Sequence, residues 1–89
     1  MLFMVVEHFK EGNPKPVYDR FRAHGRLAPP NLVYVNSWVT SDLTRCYQVM
    51  ECEERSLLDQ WISAWDDIVD FEVFSVITSP EASARVPPS

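Results

Sequence analysis

LFMVVEHF at residues 2–9 and FEVFSVIT at residues 71–78 decide how this chain folds. In the first, Leu2, Met4 and Val6 alternate with Phe3 and Val5; in the second, Phe71, Val73 and Ile77 alternate with Phe74 and Val76. Successive side chains of a strand point to opposite sides of its sheet, so a strand burying one face alternates apolar with polar. These two strands are apolar on both sides and need cover on both.

The chain between them supplies two helices and two more strands. Asn13-Pro14 is a helix start, with Asn as N-cap and Pro at the first helical position. Val17, Phe21, His24 and Ala28 then fall on one helical stripe, and Gly25 offers a left-handed stop. Pro29 and Pro30 break the chain before a second strand, Leu32 to Val39. Thr40 to Leu43 read as a hairpin loop, and a third strand runs from Arg45 to Cys52. Leu57, Leu58, Trp61, Ile62, Trp65 and Ile68 form the broad apolar stripe of a second helix. Its start is open between a capping-box-like Ser56–Asp59 pair and an acidic first turn at Glu53 and Glu54. After the fourth strand, Ser79-Pro80-Glu81 can cap one short helical turn before a Val86-Pro87-Pro88 end that frays.

Residues 1–79 therefore form a single domain and residues 80–89 a tail. The order βαββαβ implies an α+β, ferredoxin-like fold, a four-stranded antiparallel sheet with two helices on one face. Two helices cover one face only. The other is expected to be covered by a second copy of the chain, giving a homodimer through the sheet face.

Eighty-nine residues, 46% of them hydrophobic and 24% charged, suit one small globular domain. Residues 1–45 carry six Lys/Arg against four Asp/Glu, and residues 46–89 two against nine, which gives +2 and −7 and the net charge of −5. Helices of opposite sign lying side by side account for this asymmetry. An acidic chain without a lysine-rich stripe excludes nucleic acid as the expected partner. The amino-terminal apolar run has no charged segment before it and is too short for a signal h-region or a membrane span. The expected location is cytoplasmic, with no membrane association. Cys46 and Cys52 are separated by about 20 Å of extended strand, too far for a disulfide within one chain, and they lack zinc-ligand spacing. With only Gly12 and Gly25 there is no phosphate-cradling loop. No cofactor and no metal are expected.

The opening MLFMVVEHF, the central RCYQVMEC (Arg45 to Cys52) and the run WISAWDDIVDFEVFSVITS (Trp61 to Ser79) resemble the domain of unknown function 3303, a set of short bacterial proteins. The likeness extends from Met1 to about Ala82. It implies membership of the dimeric α/β-barrel group, in which two ferredoxin-like sheets pack face to face. That group includes cofactor-free monooxygenases, isomerases, haem-degrading enzymes and ligand sensors. The resemblance carries no assigned catalytic residue to this sequence, and fold analogy alone does not select among these activities.

The topology gathers chemistry at one sheet edge. Glu7 and His8 end the first strand, Trp38 the second, Arg45 begins the third, and Trp65, Asp66, Asp67 and Glu72 reach the same edge. Aromatics with a few polar groups are the lining of small-molecule pockets. The expected ligand-binding residues are His8, Trp38, Arg45, Gln48 and Trp65; the plain alternative is an ordinary polar rim. Gln48 breaks an apolar strand and either serves a ligand or bonds a neighbouring backbone. Asp66 either caps the following turn or, with Asp67, marks a functional charge set against the helix dipole. Trp61 and Trp65 also read as core, and His24 as a cation at a helix C-terminus.

Three functions follow. The leading one is a homodimeric domain binding a small, partly apolar molecule between sheet and helices. The second is a cofactor-free monooxygenase or isomerase. There His8 accepts a proton with Asp66 or Asp67 assisting, Trp38 and Trp65 wall the substrate, and Arg45 or Gln48 holds developing oxyanion charge. That mechanism requires His8 to face the helices. The third is a structural or interaction module with no ligand and no cavity.

Overall fold

Of the two strands that are apolar on both sides, the first takes a central place in the sheet and the second an edge. A computed structural model describes residues 1–88, with β1 (Leu2–Phe9), a 3-10 turn at Lys10–Gly12, α1 (Lys15–His24), β2 (Val33–Val39), β3 (Arg45–Glu51), α2 (Arg55–Ser63), β4 (Val69–Val76) and α3 (Ser79–Arg85). The sheet order is β2-β3-β1-β4, with every neighbouring pair antiparallel. This is the expected α+β, ferredoxin-like arrangement with one helix added at the C-terminal end.

Both α1 and α2 cover the same face. Tyr18 of α1 meets Phe9 of β1 edge-on at 6.4 Å, and Trp61 of α2 meets Phe71 of β4 at 5.8 Å. Phe3, Val5, Met50, Leu58, Trp61 and Val69 are buried between these layers. On the opposite face Trp38 is 55% exposed and Phe74 52%. One face is covered and one is open.

The helix boundaries carry both agreements and corrections. The Asn13 side chain accepts a hydrogen bond from the Lys15 backbone N–H at 3.1 Å, but α1 begins at Lys15 with Pro14 in the N-cap position, one residue later than expected. Gly25 ends α1 at φ +70°, ψ −157°, backbone that costs a Cβ-bearing residue dearly. α2 follows neither expected start signal. Glu54 precedes it in extended conformation without a side-chain cap, and Asp59 pairs with Arg55 at 3.2 Å instead of reaching back to Ser56. α2 also stops at Ser63, so Trp65 and Ile68 continue its apolar stripe from a turn rather than from the helix. That turn is held by Trp65 N–H donating to the Ile62 carbonyl at 2.9 Å and Val69 N–H donating to the Trp65 carbonyl at 3.0 Å. With Val69 already buried, β4 begins two residues earlier than Phe71 and ends at Val76.

The opposite charges of the two halves meet at Lys10–Asp70, 3.9 Å apart, and most closely at Arg20. Arg20 of α1 forks onto Asp67, Nη1 to Oδ1 at 2.8 Å and Nη2 to Oδ2 at 2.7 Å, and also donates to the Ala64 carbonyl at 2.8 Å. The guanidinium beside Asp67 holds its carboxyl down at about 2. The tail forms more than one turn: Thr78 caps a seven-residue helix by accepting from Glu81 N–H at 3.3 Å, although no residue of that helix is buried. The last residue of the 80–89 tail, Ser89, lies outside the described residues.

Candidate functional site

The pairing register sorts the side chains at the predicted edge onto two faces. Glu7 lies opposite Cys46 on one side and Phe71 on the other, and Cys46 in turn lies opposite Val39. This row, Val39–Cys46–Glu7–Phe71, faces the helices. The neighbouring row, Arg45–His8–Asp70, faces the open side, because the side-chain period of a strand is two. On β2 the register slips between Tyr34 and Asn36. That bulge puts Tyr34 and Ser37 on the same, helix-facing side, where Tyr34 Oη and Ser37 Oγ lie 2.7 Å apart.

Between the helix-facing row and the helices is a cleft of about 160 Å³. Phe9, Val17, Tyr18, Phe21, Trp61 and Trp65 supply its apolar walls, and Glu7, Arg26, Ser37, Cys46 and Gln48 its polar groups. It sits at the predicted edge. Its occupants are largely one residue away from those the sequence nominated.

Of the five expected ligand-binding residues, Gln48 and Trp65 line the cleft. His8, Trp38 and Arg45 do not. His8 stands on the open face with its Nε2 3.6 Å from a Glu72 carboxylate oxygen, while Trp38 lies opposite Tyr47, and Arg45 opposite His8. The His8 proton-transfer mechanism therefore fails on geometry, since it requires that imidazole to face the helices. Asp67 is committed to Arg20, and Asp66 is exposed in the turn after α2. Neither is among the cleft residues.

Glu7 is the acid of the cleft. It is buried, and desolvation pushes its carboxyl up to about 7, against the opposing pull of the Cys46 thiol and the Arg26 guanidinium. Burial pushes the Cys46 thiol up to about 12, with the Glu7 charge acting in the same direction, so this cysteine is a proton-bearing neighbour rather than a nucleophile. Tyr18 is likewise raised, first by burial and then by Cys46 and Glu7.

Arg26 forms the opposite wall, and its backbone explains why. Released from α1 by the Gly25 turn, its carbonyl accepts two indole N–H groups, from Trp61 at 3.0 Å and Trp65 at 2.9 Å. Its guanidinium lies 3.7 Å from the Tyr34 ring centroid, and its Nε donates to Gln48 Oε1 at 3.3 Å. This contact settles the Gln48 amide: the flipped orientation would set two donors against each other. The Gln48 Nε2 group is buried and has no partner among the described residues.

The profile of the family described as domain of unknown function (DUF3303) matches residues 1–89. The chain belongs to that family. No curated protein and no solved structure matches it. The DUF3303 match spans every strand and both covering helices, so the cleft lies wholly within the family's domain. Among the described residues, no helix is long and apolar enough to cross a membrane, and no three His, Cys, Asp or Glu side chains gather as a metal site.

Proposed function

We propose that this DUF3303 domain binds a small, largely apolar molecule in the cleft between its sheet and helices, and does so as a homodimer. The observation that carries the binding reading is a buried carboxyl and a guanidinium set into one aromatic-walled cavity. A module whose only role is an interface needs no such cavity. At about 160 Å³ the space is below the ~300–1,000 Å³ of sites for drug-sized ligands, which restricts the occupant to a compact molecule.

Trp61 and Trp65 line the cleft while Trp38 stands on the opposite face, so the three indoles separate the two surfaces. A bound ligand should change the emission of a Trp38→Phe variant as strongly as that of the natural chain. A response that disappears in this variant would place the ligand on the open face instead.

The dimer rests on that open face. Val33, Trp38 and Phe74 are each more than half exposed there, beside the partly buried Leu2, Met4, Tyr47 and Val49. The accessible surface of 5870 Å² exceeds the ~5,400 Å² typical of a folded monomer of this mass. Monomers rarely expose so continuous an apolar face, and stable dimers bury ~800 Å² per partner. A second copy of the same face is the occupant proposed here, since it presents a matching apolar patch. Sedimentation at micromolar concentration should give a species near twice 10.3 kDa, and a Trp38→Glu/Phe74→Glu variant should run as a folded monomer. A natural chain that sediments as a folded monomer would sink the dimer.

A further inference from the structure

Glu7 and Arg26 line the same cavity from opposite layers, one from the central strand and one from the loop after α1. They attract one another but form no ion pair among the described residues. The guanidinium is held through Nε by Gln48 and flat against Tyr34, and that Nε contact is its only hydrogen bond among the described residues. Both Nη groups therefore remain free to donate. The buried Nε2 of Gln48 also has no partner among the described residues, a cost in stability carried at the wall of the cleft. An acid–base group and a fixed cation, separated by a small apolar space, are the two parts needed to move a proton beside a carbonyl.

We propose that the cleft catalyses proton transfer at a carbon next to the carbonyl of a small, uncharged, apolar ketone, with Glu7 as the base and Arg26 as the donor to the enolate oxygen. This rests on the binding reading above and deepens it. In the forward step the Glu7 carboxylate takes the α-proton and the C–H pair becomes the C=C bond. The carbonyl π pair moves to oxygen, where the Arg26 N–H groups meet it. In the return step protonated Glu7 gives the proton back, to the same carbon or to the γ-carbon of an unsaturated ketone, which yields its conjugated isomer. Atoms and electrons balance without a co-reactant.

The surroundings favour this chemistry over the alternatives for the same cavity. A cationic ligand would meet Arg26, and the aromatic walls suit an uncharged body. A base works best when its proton affinity lies near the working pH, and burial has raised that of Glu7 to about 7. Gln48 acts as a positioning residue, through Arg26.

The test is hydrogen–deuterium exchange of phenylacetone and of cyclohexanone in D2O, followed by proton NMR, with binding read separately from indole emission in the Trp38→Phe background. The α-protons should exchange at least ~100-fold faster than in buffer, within the range general bases supply. The rate should rise with pH through about 7 and then level as Glu7 ionises. Glu7→Gln should return the rate to that of buffer while the ketones still bind, and Arg26→Met should lower it and move the pH midpoint upward, because the guanidinium's pull on the Glu7 carboxyl is lost. Gln48→Leu should lower the rate less than Arg26→Met, as fits a residue acting through Arg26. Ketones that bind without exchanging, or a Glu7→Gln protein that exchanges them as fast as the natural chain, would overturn the proposal and leave the binding reading standing. If neither ketone binds, both fall.

Discussion

Replacing Glu7 by Gln is expected to stabilise the protein at alkaline pH and to flatten its stability profile. An ordinary glutamate in the unfolded chain titrates near 4.5, whereas Glu7 in the fold titrates near 7. Below pH 4.5 both states hold the proton and the residue is neutral in effect. Between 4.5 and 7 the folded state binds more protons than the unfolded one, so stability falls as pH rises. Above 7 the full cost is present, on the order of 3 kcal/mol for a shift of this size. Gln has the same shape and no charge to desolvate. Urea unfolding at pH 4 should therefore give nearly equal stabilities for the two proteins. At pH 8.5, at the same protomer concentration, Glu7→Gln should be more stable by ~1–3 kcal/mol. Parallel profiles across this range would mean that Glu7 is solvated in the fold. A stabilising substitution at the one buried acid of the cleft is the signature of a group kept for function at the expense of stability.

The same residue shows how far the sequence could be read. Element order, the antiparallel sheet and the covered face all followed from period-two and helical patterns over residues 2–9, 57–68 and 71–78. Even the location of the cleft followed, because chain ends must meet at one sheet edge. The identity of its residues did not. In LFMVVEHF the positions 3, 5, 7 and 9 read Phe, Val, Glu, Phe, and the positions 2, 4, 6 and 8 read Leu, Met, Val, His. Both sets are apolar with one ionisable member, so parity cannot say which set meets the helices. Choosing His8 over Glu7 also meant choosing Arg45 over Cys46 and Trp38 over Ser37 and Val39, since one register carries all of them.

Gln48 and Trp65 escaped that ambiguity for separate reasons. Gln48 is the polar break beside Tyr47, Val49 and Met50, a signal that does not depend on which face it meets, and the fold sets it on the side of the buried Cys46 and Met50. Trp65 belongs to the apolar stripe of the second helix whether or not the helix reaches it. Arg26 had no local signal, for it follows a helix-ending glycine and resembles a solvated loop cation. Its role depends on two indoles 35 and 39 residues away in the chain.

Those indoles carry the largest expected loss of stability. Trp61 is 2% exposed, packs on Phe71 and donates to the Arg26 carbonyl. Trp61→Ala should cost ~3–5 kcal/mol, enough to leave so small a domain largely unfolded on mild heating. The more informative variants keep an aromatic ring while removing the N–H along with the rest of the five-membered ring. Trp61→Phe leaves the Arg26 carbonyl bonded to Trp65, and Trp65→Phe leaves it bonded to Trp61, so each should lose only ~1 kcal/mol beyond its packing change. With both replaced, the carbonyl has neither donor and the loop after Gly25 loses its anchor. The double variant should then lose at least ~0.5 kcal/mol more than the two single losses combined. It should also bind ketones more weakly than either single variant, because the guanidinium over Tyr34 is placed by that anchored backbone. Urea unfolding of the four proteins, with NMR-detected ketone binding at matched folded fraction, measures both quantities. Strict additivity in both would mean that the indoles act only as core, and that Arg26 is held by Tyr34 and Gln48 alone.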